Sequence, residues 1–227
     1  MIIEKKSMCR LAWNSTTILF VGITTLLFIL KGCSCLTMKE AHASVANAIR
    51  EADTFLVDSD GIKYPVKTLL DGKLWMTANL NSRIPNSFCY ENLDSNCKQY
   101  GRLYTWESAK ESCALLGEGW RLPTGEEGKE LTRLYGRGNP DSGTTRKEAY
   151  RTLMNNGNSG FNAVLGGNRD PDSRFARLDA HGFYWTSTEG ANNTMWYFNF
   201  AKGSQAFYLQ NDGEKTRAFS VRCVKSK

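Results

Sequence analysis

Residues 181–209 read HGFYWTSTEGANNTMWYFNFAKGSQAFYL. Three runs rich in aromatic and β-branched residues, Phe183–Thr188, Met195–Phe200 and Ala206–Leu209, are separated by glycine, asparagine and serine. Runs of that composition between turn formers predict β-strands joined by short connections. On either side, Phe161–Leu165 and Ala218–Val224 read as further strands, with Asn211-Asp212-Gly213 as a turn before the last. From Asn155 onward the chain is therefore expected to be strands and turns.

Upstream the pattern changes to helix. Trp106, Ala109, Cys113 and Leu116 recur on one helical face, after Thr105 as N-cap and before Gly117 as a stop. This predicts a helix over Trp106–Leu116 with Cys113 turned into the core. Pro123-Thr124-x-x-Glu127 is a capping box opening a second helix through Leu131, Leu134 and Tyr135. Thr145-x-x-Glu148 is read as the start of a third, burying Ala149, Leu153 and Met154. Polar loops are expected between Cys89 and Cys97 and over Gly136–Gly143. Earlier still, the apolar runs Phe55–Val57, Tyr64–Leu70 and Leu74–Met76 are divided by Asp60-Gly61 and Asp71-Gly72, both strong hairpin signals. Asp58-x-Asp60-Gly61 begins like a calcium loop but lacks a third acidic ligand and the distal glutamate, so a turn is expected. Hairpin, then helices, then strands is an α+β order with segregated elements, predicted as a single domain over residues 54–227.

The net charge of the 227 residues is +6, and half of it comes from Lys5, Lys6, Arg10 and Lys31 against Glu4. The remainder holds no arginine-rich run, which argues against a nucleic-acid partner. Behind the basic start, the apolar stretch Ile18–Leu30 suits a signal segment, so residues 1–32 are assigned to targeting or anchoring and 33–53 to a tether. Leu30-Lys31-Gly32-Cys33 resembles the end of a bacterial lipoprotein signal, which would make Cys33 the lipidated first residue of the mature chain. Leu11–Leu30 is also long enough to span as an uncleaved anchor, and plain secretion is the third possibility. Each puts the domain outside the cytoplasm, and the first two make a lipid bilayer the partner of the N-terminus. Of seven cysteines, Cys9, Cys33 and Cys35 lie in or beside the targeting segment. Cys89, Cys97, Cys113 and Cys223 remain, an even number that suits disulfides in an oxidising compartment, with three pairings open. Without Cys-x-x-Cys and with only His42 and His181, a zinc site is disfavoured.

Several segments, taken in order, resemble the Fibrobacter succinogenes major paralogous domain family of bacterial envelope lipoproteins. They are Trp75-Met76-x-Ala78-Asn79-Leu80, Cys89-Tyr90 and Tyr100-Gly101-Arg102-Leu103-Tyr104-Thr105-Trp106, then Gly119-Trp120-Arg121-Leu122-Pro123-Thr124. They continue as Gly160-Phe161-Asn162-Ala163, Gly166-Gly167-x-Arg169, Tyr184-Trp185-Thr186-Ser187-Thr188-Glu189 and Phe219-Ser220-Val221-Arg222-Cys223-Val224. The resemblance spans about Asp58 to Lys225 and implies kinship in fold with C-type lectins and the formylglycine-generating enzymes. It implies one C-type-lectin-like domain with an antiparallel sheet, two or three helices and long loops, stapled by disulfides. Ala218–Val224 would pair with the early hairpin, and the bonds would be Cys113–Cys223 and Cys89–Cys97. Gly128 stands where the family usually has a tryptophan, which would loosen packing there.

Signs of catalysis are sparse. A Ser-His-Asp triad would have to use His181, which sits beside glycine ahead of an aromatic strand. The cysteine pair with which formylglycine-generating enzymes bind copper has no free counterpart, since every domain cysteine is assigned to a disulfide. No cofactor is expected. Calcium is the one ion considered, at Asn139-Pro140-Asp141 or Asp170-Pro171-Asp172, although such sequences are common in turns. A sugar ring could instead lie on an aromatic face, for which Tyr184, Trp185, Trp196, Tyr197 and Tyr208 are candidates; the alternative for each is to fill the core. The loops Gly136–Thr144, Asn168–Ala180 and Glu189–Thr194 flank them. The expected function is a non-catalytic, exported, membrane-anchored binding module of the bacterial cell envelope, recognising glycan or a protein partner. The alternatives are a structural component of an envelope assembly and an enzyme related to the formylglycine-generating group.

Overall fold

Asp58 organises the first turn. Its carboxylate accepts hydrogen bonds from the Asp60 and Ile62 amides and from the Tyr64 and Ser82 hydroxyls, closing an Asx turn between β1 (Phe55–Val57) and β2 (Lys63–Thr68). Asp71 does the same for the next turn, accepting from the Lys73 amide and the Trp75 indole ahead of β3 (Leu74–Met76). These residues belong to a computed structural model that describes residues 55–226. The expected targeting segment, Cys33 and the tether lie outside the described residues.

Two short strands, β4 (Ser87–Phe88) and β5 (Leu103–Tyr104), form a ribbon, and β6 (Trp120–Arg121) follows. The longer strands come next: β7 (Gly166–Arg169), β8 (Phe175–Leu178), β9 (His181–Glu189), β10 (Thr194–Ala201) and β11 (Ala206–Glu214). The last strand, β12 (Val224–Lys225), inserts between β3 and β6, so one sheet has the order β1-β2-β3-β12-β6. The second has the order β11-β10-β9-β7-β8, antiparallel apart from the parallel contact of β7 with β9. Among the described residues, four helices complete the α+β fold: α1 (Asp94–Tyr100), α2 (Trp106–Ala114), α3 (Gly125–Gly136) and α4 (Gly143–Leu153). Among the described residues, no helix is long and apolar enough to cross a membrane.

Alternation along β9 and β10 explains the layering, because successive side chains of a strand point to opposite faces. Phe183, Trp185 and Tyr197 join one core with Trp106, Ala109 and Cys113 of α2. Tyr184, Phe198 and Phe200 join another with Leu131 and Tyr135 of α3 and Ala149 and Leu153 of α4. The long sheet is thus buried on both faces. Cys113 bonds Cys223, tying α2 to the last strand, and Cys89 bonds Cys97, clipping a short 3-10 turn to α1.

The Thr124–Glu127 capping box forms as the sequence predicts. Other expectations need correction. Only Val224–Lys225 pairs with the early strands, because residues 218–220 bridge Arg169, Tyr104 and Tyr184 in turn. Phe161–Leu165 is not a strand. Asn162 has a positive φ, and the Phe161 and Asn162 carbonyls turn to the Arg222 guanidinium. Asn211-Asp212-Gly213 is no turn, since β11 runs on to Glu214. A Cβ at Gly213 would lie 2.6 Å from the Trp185 ring, so this glycine permits a close approach. The stretch between Cys89 and Cys97 contains most of the first turn of α1, which raises the helix count to four. Thr145 does not cap α4. It is buried, and the helix begins at Gly143 after Ser142. Asn168–Ala180 holds the β7–β8 hairpin rather than a plain loop. Gly128 does not loosen the packing. A Cβ there would come within 2.2 Å of Phe198, whose ring occupies the space.

Candidate functional site

Arg222 lies just before β12. Val221 and Cys223 on either side of it join the α2 core, whereas Arg222 is turned to Met76, Asn79, Phe161 and Asn162 and is only 1% exposed. Its Nε donates to Asn79 Oδ1 at 2.6 Å, Nη1 to the carbonyls of Met76 (3.2 Å) and Phe161, and Nη2 to the Asn162 carbonyl at 2.8 Å. Asn79 Nδ2 in turn donates to the Tyr100 carbonyl at 2.7 Å. The guanidinium lies 5.0 Å from the centre of the Phe161 ring, a cation–π contact. All the oxygens it meets are neutral. Burial without a counter-charge pushes its pKa down to about 10, with Tyr184 acting weakly in the opposite sense.

Four of the segments quoted above, those containing Asn79, Tyr100, Asn162 and Arg222, therefore meet at one point, and there a cleft of about 330 Å³ opens. Buried Arg222 and Asn79 line it together with half-buried Gly101, Asn162 and Asn81, and Lys63, Lys98, Gln99 and Asn155 are its exposed polar lining. A second cleft of about 380 Å³ adjoins it, sharing Gln99, Tyr100, Asn155 and Val164 and adding Asp179 and Lys202. Between the two, the Tyr100 hydroxyl donates to Asp179 at 2.8 Å and accepts from Gln99 at 2.9 Å. Burial, then the hydrogen bond to Asp179 and its charge, raises the tyrosine pKa. Helix α1 carries Lys98, Gln99 and Tyr100 to this wall, and the Cys89–Cys97 bond holds that helix. Arg102 braces the bond, donating to Ser87 and lying 3.3 Å from the Cys89 sulfur.

The residues singled out in the sequence lie elsewhere. Tyr184 and Trp185 are fully buried and Tyr197 is 6% exposed, so none offers a ring face to a ligand. The Trp185 indole donates to the Tyr104 carbonyl, and the Tyr197 hydroxyl to Asp212. Trp196 and Tyr208 are half-buried, each near a cation, Lys129 at 5.8 Å and Arg146 at 5.7 Å. Asp170 accepts from Asn168 and lies 3.7 Å from Arg217, while Asp172 pairs with Arg174. Their charges face arginines, and no group of three or more His, Cys, Asp or Glu side chains gathers around a common point among the described residues. Asn139 turns inward on its own loop, accepting from the Asp141 amide. His181 opens β9, its Nδ1 2.9 Å from Asn199 Oδ1 and its ring stacked on Phe183.

The fold and cleft define a disulfide-stapled α+β domain in which Arg222, just ahead of the last strand, helps to build a polar recess. The profile of the family described as Fibrobacter succinogenes major domain matches residues 68–225, and the chain belongs to that family. No curated protein and no solved structure matches the chain.

Proposed function

We propose that the chain is a non-catalytic binding module of the bacterial cell envelope, exported and anchored through its N-terminus, and that the cleft beside α1 is its glycan-binding site. The observation that carries this reading is the convergence of Asn79, Tyr100, Asn162 and Arg222, from four distant segments, on one ligand-sized recess. Amide side chains can both donate to and accept from sugar hydroxyls. The C-type-lectin-like relationship belongs to the same proposal, and the Cys113–Cys223 link between a helix and the last strand supports it. Two disulfides in a small domain favour an oxidising compartment. All four domain cysteines are bonded, and His181 is engaged with Asn199 and Phe183, which supports a non-catalytic role.

A glycan array probed with the full chain, with calcium and with chelator, tests the reading. Binding that survives chelator and is lost in Asn155→Ala but not in Trp196→Ala supports the cleft. Loss in chelator would move the site to the aspartate loops. Anchoring is tested by mass spectrometry of the mature N-terminus: a lipidated Cys33 supports a lipoprotein, an intact Met1 an uncleaved anchor. The second reading, a structural part of an envelope assembly, draws on Phe55 and Val57 of edge strand β1, which are 46% and 50% exposed.

A further inference from the structure

We infer that the cleft selects acidic saccharides, those carrying a carboxylate such as a uronic acid, over their neutral counterparts; the inference rests on the glycan-binding reading above. Two observations carry it. The first is the composition of the cleft wall. Among the described residues, its charged members are Lys63, Lys98 and Arg222, and it contains no aspartate or glutamate. The second is the state of Arg222. A guanidinium this buried is normally paired with a carboxylate, because desolvating a charge is costly unless an opposite charge repays it. Here it meets one side-chain amide and three backbone carbonyls, all neutral. An anion entering the cleft would supply the missing charge.

The two exposed lysines and the buried arginine contribute in different ways. Lys63 and Lys98 are solvated, so they attract an anion over a distance set by ionic strength. Arg222 lies in a low-dielectric surround, where its attraction is screened less. The amides of Asn81, Gln99, Asn155 and Asn162 suit the hydroxyls of the same ligand. That combination favours a saccharide over an acidic peptide, whose own backbone would seek a strand edge or an apolar groove.

The test is calorimetric titration of the full chain, in mild detergent, with trigalacturonate and with its methyl ester, which has the same ring and no charge. The acid should bind at least about tenfold more tightly, as expected for a charge-assisted contact. Raising the salt, or combining Lys63→Gln with Lys98→Gln on the protein surface, should shrink that ratio to about threefold or less. Equal binding of acid and ester would overturn the charge selectivity while leaving a glycan site standing. Binding of polyglutamate but neither saccharide would overturn it in favour of an acidic peptide. If neither these ligands nor any glycan on the array binds a chain whose circular dichroism shows it folded, the glycan reading itself fails.

Discussion

Strands β9 and β10 are built from aromatic side chains, whereas the cleft beside α1 is built from amides and cations. In the strands, Tyr184, Trp185, Tyr197, Phe198 and Phe200 are buried on both faces, and the polar atoms of Trp185 and Tyr197 are already bonded. In the cleft, Gln99, Asn155, Lys63 and Lys98 stay exposed around a buried guanidinium. Apart from half-buried Trp196, the aromatic side chains of β9 and β10 are covered on one face or the other, so aromatic richness here reports packing. Polar side chains at the meeting point of several loops are where this molecule can present chemistry to a ligand.

The largest effect should come from the disulfides, one in each region. Replacing both Cys113 and Cys223 by alanine opens a link across 110 residues of sequence and should cost about 5 kcal/mol in denaturant melts, on the chain-entropy estimate. Replacing Cys89 and Cys97, separated by 8, should cost about 3 kcal/mol and also weaken ligand binding, because it frees α1. Equal losses, or binding unaffected by the second pair, would break the contrast. Next, Trp185→Ala should cost about 4 kcal/mol, and Trp196→Ala less than about 1 kcal/mol. A comparable loss at Trp196 would show that it is also a packing residue.

A third test concerns Glu127, which caps the helix covering the aromatic sheet. Burial pushes its carboxyl up, but bidentate hydrogen bonds from Arg121, the Thr124 amide and the Lys73 charge outweigh this and hold it below the ordinary glutamate value. An acid depressed in the folded state contributes stability above its unfolded pKa, about 4.3, and loses that contribution as pH falls through the folded value. Glu127→Gln should therefore cost about 1–2 kcal/mol at neutral pH and flatten the acid limb of the stability profile. An unchanged limb would remove Glu127 from the account of acid lability. The smallest effect on stability belongs to the cleft. Asn155→Ala should shift the melting midpoint by no more than about 0.5 kcal/mol equivalent, while lowering saccharide affinity by about two- to tenfold.

The sequence made the fold far more legible than the site. Thr124 and Glu127, Cys113 facing the core and the aromatic runs all carry local signals, because caps and periodicities are written within a few adjacent residues. Gly213 misled because Asp-Gly is a turn signal, while the demand on that glycine came from Trp185, close in space and distant in sequence. The cleft had no such local signature. Asn79, Tyr100, Asn162 and Arg222 come from separate segments, so no spacing betrays them. Each lies in a segment of the family resemblance, but the sheet aromatics are the more conspicuous candidates in the sequence. Arg222 in particular carries no local sign of burial; its place follows from Val221 and Cys223 joining the α2 core on either side of it.

The position of β12 has a consequence for how the chain is made. The strand that completes the first sheet follows all the other described strands in sequence, yet it is an interior strand, with β3 on one side and β6 on the other. Arg222 reaches back 143 residues to Asn79 and 146 to Met76. Until residues 223–225 have been made, β3 and β6 lack their shared neighbour and Cys113 lacks its partner. The domain therefore cannot assemble piecemeal from its N-terminus. It remains open until residues 222–225 are available, then closes around them, with the slow, long-range search that distant contacts impose.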